Sequence, residues 1–394
     1  MKKVELKPGV ESLLRKGLYT VYSKWVKADA SVSNGEFVKV YYNNELIGYG
    51  FYEKIGAIGL RILAYLRENP PDSLEEIIKW RVRKAFSKRR LGGEKPENGY
   101  RLIYADSDGM PGLIADVYND VCVIQSTSYG WDRNLELLGK IIADEGIAER
   151  VYLKNDQRAR KTFGLPVEKR FIIGGGEART VIIEDKARFI VDFENGHKTG
   201  FYLDQRPARL RIAQMRLDGL RVLDLFSYTG AFAIQALLAG AEEATLVEEN
   251  LYATMLAHEN LVLNGVRNRA EILRCRVEKF LDTAVAKRKR YDVVIADPPA
   301  FIPSLHHLER GTKAYEKLYE NIMKVVDSGG YVYASSCSFH LSREKLLSIL
   351  VNAASKQGLD VSLVFELSEA NATPYTRIVD EELRYLKGFL LQVE

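Results

Sequence analysis

The sequence predicts an α/β protein in which a C-terminal, doubly wound parallel sheet is preceded by a small α+β segment and an N-terminal β-rich module. Three features of the chain point to it. From residue 218 onward, short unbroken apolar runs alternate with helical patterns, the signature of parallel strands covered on both faces. Before residue 70 the apolar runs are short and divided by turn residues, with Asn43-Asn44 between two of them as a hairpin signal. Pro70-Pro71 then resists continuing either a helix or a strand ladder. At ~100 to 200 residues per domain, 394 residues allow two or three units. The boundaries are drawn at 1–69, 70–185 and 186–394.

In the first segment the strands are expected at Val4-Glu5-Leu6, Trp25-Val26, 37–42, 46–52 and 59–63, with an opening helix between Gly9 and Gly17. In the second, Leu74, Ile77, Ile78, Val82 and Phe86 keep helical spacing through a run rich in Lys and Arg. A strand at 121–126 and a helix over 134–145 follow, making an α+β unit. Ser107 to Gly112 reads as a tight turn between strands, and Gly174-Gly175-Gly176 as a turn with no helix after it, hence no phosphate loop. In the third, strands are expected at 221–226, 244–248, 270–273, 291–297 and 330–335. Helices fall between and after them at 230–239, 251–264, 277–287, 313–327 and 342–356.

With 46% apolar and 28% charged residues, the composition is that of a globular protein and excludes collagen, coiled coil and disorder. The charged, proline-bearing start and the lack of an apolar run near ~18 residues predict a soluble, cytoplasmic protein with no membrane partner. Three widely spaced cysteines, Cys122, Cys275 and Cys337, argue against a disulfide framework or a zinc site, and no metal is expected. Net charge is only +4, but residues 1–105 hold 20 basic and 12 acidic residues. That surplus peaks around Arg81, Arg83 and Lys84, which are the expected contacts to an RNA backbone; the bland alternative is a solvated helix face.

Two sets of residues fall where the ligands of such a sheet bind, beyond the carboxyl ends of the strands. Asp224-Leu225-Phe226-Ser227-Tyr228-Thr229-Gly230 runs from a strand into a helix, and Glu248 ends the next strand 24 residues after Asp224. A carboxylate there suits ribose hydroxyls, and a turn with one glycine and two bulky aromatics suits a nucleoside without a pyrophosphate. S-adenosylmethionine fits, with Asp224 facing its cationic end; equally, Asp224 can simply cap the helix. Phe193 to Arg206, including Lys198, is expected to form a lid or an interdomain hairpin.

At the chemical end, one strand runs into Asp297-Pro298-Pro299-Ala300-Phe301 and the next into Ser336-Cys337-Ser338. Carbon 5 of a pyrimidine is a poor nucleophile until a thiolate adds at carbon 6, a role for Cys337, with Asp297 hydrogen-bonding or protonating N3. Pro298 and Pro299 stiffen the turn, and with Phe301 they are the expected contacts to the base. Structural alternatives are a buried apolar role for Cys337 and a loop carboxylate for Asp297. Cys122 and Cys275, in strand-like runs, are expected to be structural.

The first 70 residues resemble the PUA domain, an RNA-binding pseudo-barrel, through the Gly9–Gly17 helix, the Gly-rich turns and the closing strand at 59–63. Residues 223–232, 297–301 and 336–338, together with His197 to Gly200, Leu203 to Arg206 and Tyr385 to Gly388, resemble the large-subunit rRNA cytosine-C5 methyltransferases that carry a PUA domain. That resemblance spans the chain. It implies a class I methyltransferase fold, S-adenosyl-L-methionine as cofactor and 23S-type rRNA as partner, with a homodimer left open. It implies Cys337 as nucleophile and Asp297 as base-orienting acid. Phe226, Ser227, Tyr228, Thr229, Gly230, Glu248 and Lys198 would then contact the cofactor. The chain departs from related patterns in having Ala300 where others carry a second cysteine, Arg276 where an aspartate is common, and no histidine near Thr373-Pro374. Two other activities stay open: methylation of an exocyclic amine at the Asp-Pro-Pro turn, which needs no thiol, and RNA binding without catalysis.

Overall fold

The computed structural model describes residues 1–90, 98–368, 376–380 and 383–394. Thr373-Pro374 lies outside them. The chain forms two compact units, the first built from residues 1–182, 191–201 and 376–380, the second from residues 183–190, 202–368 and 383–394.

The first unit contains two sheets. Six strands, Lys3–Leu6, Thr20–Tyr22, Val26–Ala28, Phe37–Tyr42, Glu45–Tyr52 and Ile58–Tyr65, form the N-terminal one. Its hairpin turn puts both Asn43 (φ 51°) and Asn44 (φ 63°) in the left-handed region, the geometry that matches strand twist. Five further strands, from Gly99–Tyr104 to Glu168–Ile173, form the second sheet. The boundary at Pro70-Pro71 separates the sheets without dividing the interior: Tyr49, Phe51 and Leu63 from one side join Ile77, Val82, Leu102, Ile124 and Leu138 from the other in one core. The Phe51 and Trp131 rings meet edge to face at 5.2 Å within it.

The basic helix spans Leu74–Arg89 and is capped by Ser73, whose Oγ accepts from the Glu76 amide. Its charges correct one expectation. Arg81 is buried: Nε donates to Leu63 O at 2.7 Å, and Nη2 donates to Glu68 at 2.6 Å and to Tyr19 OH at 3.2 Å. It is therefore a structural ion pair inside the first unit and no contact to RNA. Lys88 and Arg89 are likewise drawn to buried Asp108. Only Arg83 and Lys84 keep about half of their side chains in solvent, reaching Glu145 and Glu68 respectively. Replacing Arg81 with Ala leaves Glu68 without its main partner and is expected to cost ~3 kcal/mol, read as a lowered denaturation midpoint.

The second unit is one seven-stranded sheet: β1 (Arg221–Leu225), β2 (Glu243–Glu248), β3 (Ala270–Arg274), β4 (Tyr291–Ala296), β5 (Val326–Ser336), β6 (Val361–Leu367) and β7 (Lys387–Val393). The strand order is β3-β2-β1-β4-β5-β7-β6, with β7 antiparallel to both neighbours and the rest parallel. The order reverses at β1, so β1 and β4 form the topological switch point where ligands of doubly wound sheets bind. Five strands match the sequence reading; β6 and β7 extend the sheet beyond it. The core on the β4–β5 side packs Val294, Ala296, Val332 and Ala334 against Tyr315, Tyr319, Leu346 and Leu350. Among the described residues, no helix is long and apolar enough to cross a membrane.

Candidate active site

The turn after β1 is built to present backbone and small polar groups. Phe226 (φ 59°) and Tyr228 (φ 47°) both adopt the left-handed conformation that side chains rarely take. The turn is held there from three directions: Ser227 N donates to Val247 O at 3.2 Å, Tyr228 N to Glu248 Oε2 at 3.0 Å, and Asn260 Nδ2 to Thr229 O at 3.1 Å. Gly230 (φ 78°) opens the helix Ala231–Leu238, and a Cβ there would lie 2.9 Å from the Leu246 side chain. The Ser227 and Thr229 hydroxyls are buried and have no hydrogen-bond partner among the described residues, although buried hydroxyls are normally bonded. They are two polar groups ready for a ligand. The Tyr202 and Tyr228 rings stand edge to face at 5.3 Å beside them.

Asp224 is 1% exposed and accepts from the Ala233 amide at 3.1 Å, so it does cap the helix as the simpler reading held. Burial pushes its carboxyl up to about 8; that one amide offsets the rise only in part, and the charges of Asp297 and Glu248 add to it. Among the described residues no group of His, Cys, Asp and Glu is arranged to hold a metal.

At the ends of β4 and β5, Ser335 Oγ donates to Asp297 Oδ1 at 2.5 Å. Gln205 Nε2 approaches the same Ser335 hydroxyl at 3.4 Å, while Gln205 Oε1 accepts from Tyr333 OH at 2.7 Å. Burial holds the Tyr333 phenol well above its usual range, so it remains a proton donor. Gly388, the residue paired with Ser335 across β5 and β7, makes room: a Cβ there would sit 2.5 Å from Tyr333 OH. Pro298 is buried, whereas Pro299 and Ala300 are exposed. Phe301 packs between Phe226 (6.4 Å) and Tyr315 (4.8 Å).

Cys337 is half-buried and its neighbours are fixed. Tyr315 OH lies 2.8 Å from Ser336 Oγ and 3.1 Å from Ser338 Oγ; Ser338 N donates to Ser336 Oγ, and Lys387 Nζ donates to Ser338 O at 2.8 Å. Cys122, by contrast, is fully buried in its strand, and burial raises its thiol, while Cys275 packs on the core. Lys198 belongs to the first unit, where Gln125 Nε2 donates to its carbonyl and Thr199 Oγ1 donates to Asp116. Sequence reasoning missed Tyr315 and Tyr333 as supports of the site, since nothing in their spacing separates them from core aromatics.

Comparison with known proteins agrees with this architecture. Residues 4–65 match the PUA-like domain model and residues 169–358 the S-adenosylmethionine-dependent methyltransferase model. The ribosomal RNA large subunit methyltransferase I of Shewanella amazonensis is 31% identical over 99% of both chains, and that of Pseudoalteromonas atlantica is equally close over the same share. The chain belongs to this family. It is an S-adenosylmethionine-dependent methyltransferase with an N-terminal PUA-like domain. In fold, it is similar along its whole length to an S-adenosylmethionine-dependent methyltransferase from Streptococcus mutans (TM-score 0.79, 20% identical, all of both chains covered). A methyltransferase solved in complex with SAH is similar to the same extent (TM-score 0.80, 20% identical, all of both chains covered).

Proposed function

We propose that this methyltransferase forms 5-methylcytosine in large-subunit ribosomal RNA, in the cytoplasm, through a covalent bond between Cys337 and the base. The observation that carries the reading is the pairing of Asp297 and Cys337 beyond the ends of neighbouring strands β4 and β5, with the Ser335 hydroxyl on the Asp297 carboxylate at 2.5 Å. S-adenosylmethionine supplies the methyl group on a sulfonium. Ser227, Tyr228, Thr229 and Gly230 would hold its nucleoside through the turn, with Glu248 taking the ribose and Asp224 the cationic tail.

The Cys337 thiolate adds to carbon 6 of the cytosine, while Asp297 donates a hydrogen bond or proton at N3, so that electron density moves to carbon 5. Carbon 5 takes the methyl group. A base then removes the carbon-5 hydrogen, elimination expels the Cys337 thiolate and restores the ring double bond, and any proton taken up at N3 returns to Asp297. Ala300 follows Pro-Pro, so that base is not a cysteine at this position. Lys387, bonded to the carbonyl of the residue after Cys337, adds positive charge on the thiolate's side of the loop. Pro298, Pro299 and Phe301 would border the base, and Arg83 and Lys84 are retained as backbone contacts. Methylating ribosomal RNA with labelled cofactor and mapping the product by mass spectrometry tests this: label on carbon 5 of one cytosine is expected, and label on an exocyclic nitrogen overturns it.

Asp224 makes the cofactor reading testable by pH. With its carboxyl near 8 in the free protein, Asp224 is largely protonated at neutral pH. A cationic ligand favours the carboxylate, so binding should release protons, and affinity should rise with pH and level off above about 8. Calorimetry in buffers of different ionisation enthalpy checks it, and Asp224→Asn should flatten the profile. The sign for stability is opposite. The folded state retains this proton to higher pH than the unfolded chain, so the Asp224 contribution is full below the ordinary carboxylate range and falls as pH rises toward 8.

A further inference from the structure

A second charged region lies at the opposite, amino-terminal ends of the same strands. There Arg221, Glu243, Ala270 and Tyr291, the first residues of β1 to β4, line a cleft of about 860 Å³ whose rim is Lys287-Arg288-Lys289-Arg290. At ~3.3 Å per residue, strands of five or six residues separate this cleft from the catalytic ends by roughly 16–20 Å. It is a different surface from the site above.

Several cations of the unit are neutralised by carboxylates, and most of those in the cleft are not. Arg209 is bound by Glu184, Arg343 by Glu366 and Lys356 by Glu320. In the cleft, Arg269 donates to the Ala241 and Leu237 carbonyls at 2.7 and 3.0 Å, and Arg290 donates to the Val326 carbonyl at 2.9 Å. Carbonyls fix a guanidinium without cancelling its charge. Lys287, Arg288 and Lys289 are exposed, and among the described residues none of the three forms an ion pair. Arg221 alone among the cleft's cations is paired, with Asp292 and Asp327. Glu242, Glu243 and Glu271 also line the cleft, which leaves the positive excess on the 287–290 rim.

Oriented guanidiniums beside mobile ammonium groups suit an extended polyanion, because each phosphate can take a fork or a point charge in turn. We propose that this cleft is a second contact surface for the phosphate backbone of the RNA substrate, remote from the reacting base. The proposal rests on the ribosomal RNA reading above. It goes beyond that reading by adding a phosphate-backbone contact to a unit that otherwise contacts only the base of the RNA. Such a surface would hold the flanking RNA while the target base is at Cys337, and would supply salt-sensitive affinity with no sequence preference.

The test is the salt dependence of binding to a ribosomal RNA fragment by the full chain, measured by fluorescence anisotropy. The variant K287Q/R288N/K289Q suits it, because Asn tolerates the left-handed backbone of residue 288 (φ 53°). Losing three phosphate contacts at ~0.7 each should lower the slope of log affinity against log salt by about 2, with binding about tenfold weaker at low salt. Affinity for S-adenosylmethionine, read by calorimetry, should not change. K287E alone should weaken RNA binding more than K287Q. An unchanged slope in the triple variant, or a change only in melting temperature from lost charge at the helix Val277–Ala286 C-terminus, overturns the proposal. A parent chain that neither binds nor methylates ribosomal RNA overturns the reading beneath it as well.

Discussion

Replacing Cys337 with Ala is expected to lower methyl transfer at least about a thousandfold while leaving binding of S-adenosylmethionine and RNA unchanged. The expectation follows from chemistry: without a nucleophile at carbon 6, carbon 5 of cytosine has no electron pair to offer a methyl group. A structural role predicts something else. Removal of a half-buried sulfur from a loop already tied by Tyr315, Ser336, Ser338 and Lys387 would cost modest stability and spare turnover. An exocyclic-amine mechanism likewise predicts near-normal turnover in Cys337→Ala. RNA containing 5-fluorocytosine adds a positive readout, because fluorine cannot leave as the ring proton does and the adduct should persist. A covalent complex with the parent chain, absent in Cys337→Ala, is the expected result. Turnover by Cys337→Ala within tenfold of the parent removes the thiol from the mechanism.

The sheet was legible because β1, β2, β4 and β5 carry apolar runs buried on both faces, while β3, at the edge of the sheet with no fully buried residue, showed only the short run Ala270 to Leu273. β6 was not legible. Its residues Val361 to Leu367 mix exposed Leu363 and Ser362 with a charged Glu366, as a strand at the edge of the sheet can. Arg81 was misread for a different reason. Net charge directed attention to the basic run as a whole, yet the helical period sets Arg81 one turn after Ile77 and Ile78 and one turn before Ala85, all buried, with Arg83 and Lys84 turned the other way. The spacing held the answer and the charge obscured it. The shared core of the first unit was out of reach, because Phe51 against Trp131 is a contact between distant segments that no local period encodes. Strand-end position singled out Asp224, Glu248, Asp297 and Cys337, and the four lie at or just beyond the carboxyl ends of β1, β2, β4 and β5. The left-handed backbone at Phe226 and Tyr228 had no signal, since neither residue type favours it.

Asp297→Asn is the second substitution with a large expected effect. Asn keeps an oxygen to accept from Ser335 Oγ, so the loop geometry survives, but the capacity to exchange a proton with N3 goes, and with it the charge of the ionised form. A lost acid contributes ~10²- to 10⁴-fold, and kcat should fall in that range with little change in KM for RNA. Ser335→Ala should do less, about tenfold, because it frees Asp297 to rotate without removing it. The charge also has a second consequence. Asp297 helps to hold the Asp224 carboxyl up near 8, so Asp297→Asn should let it fall and move the pH dependence of S-adenosylmethionine binding toward lower pH, whereas Ser335→Ala keeps the charge and should leave that profile in place. Loss of turnover together with a shifted binding profile in Asp297→Asn, and weaker turnover with an unshifted one in Ser335→Ala, separates an acid in the site from a carboxylate that only braces the loop. If both variants bind and turn over like the parent, Asp297 is a loop carboxylate and the proton at N3 must come from elsewhere.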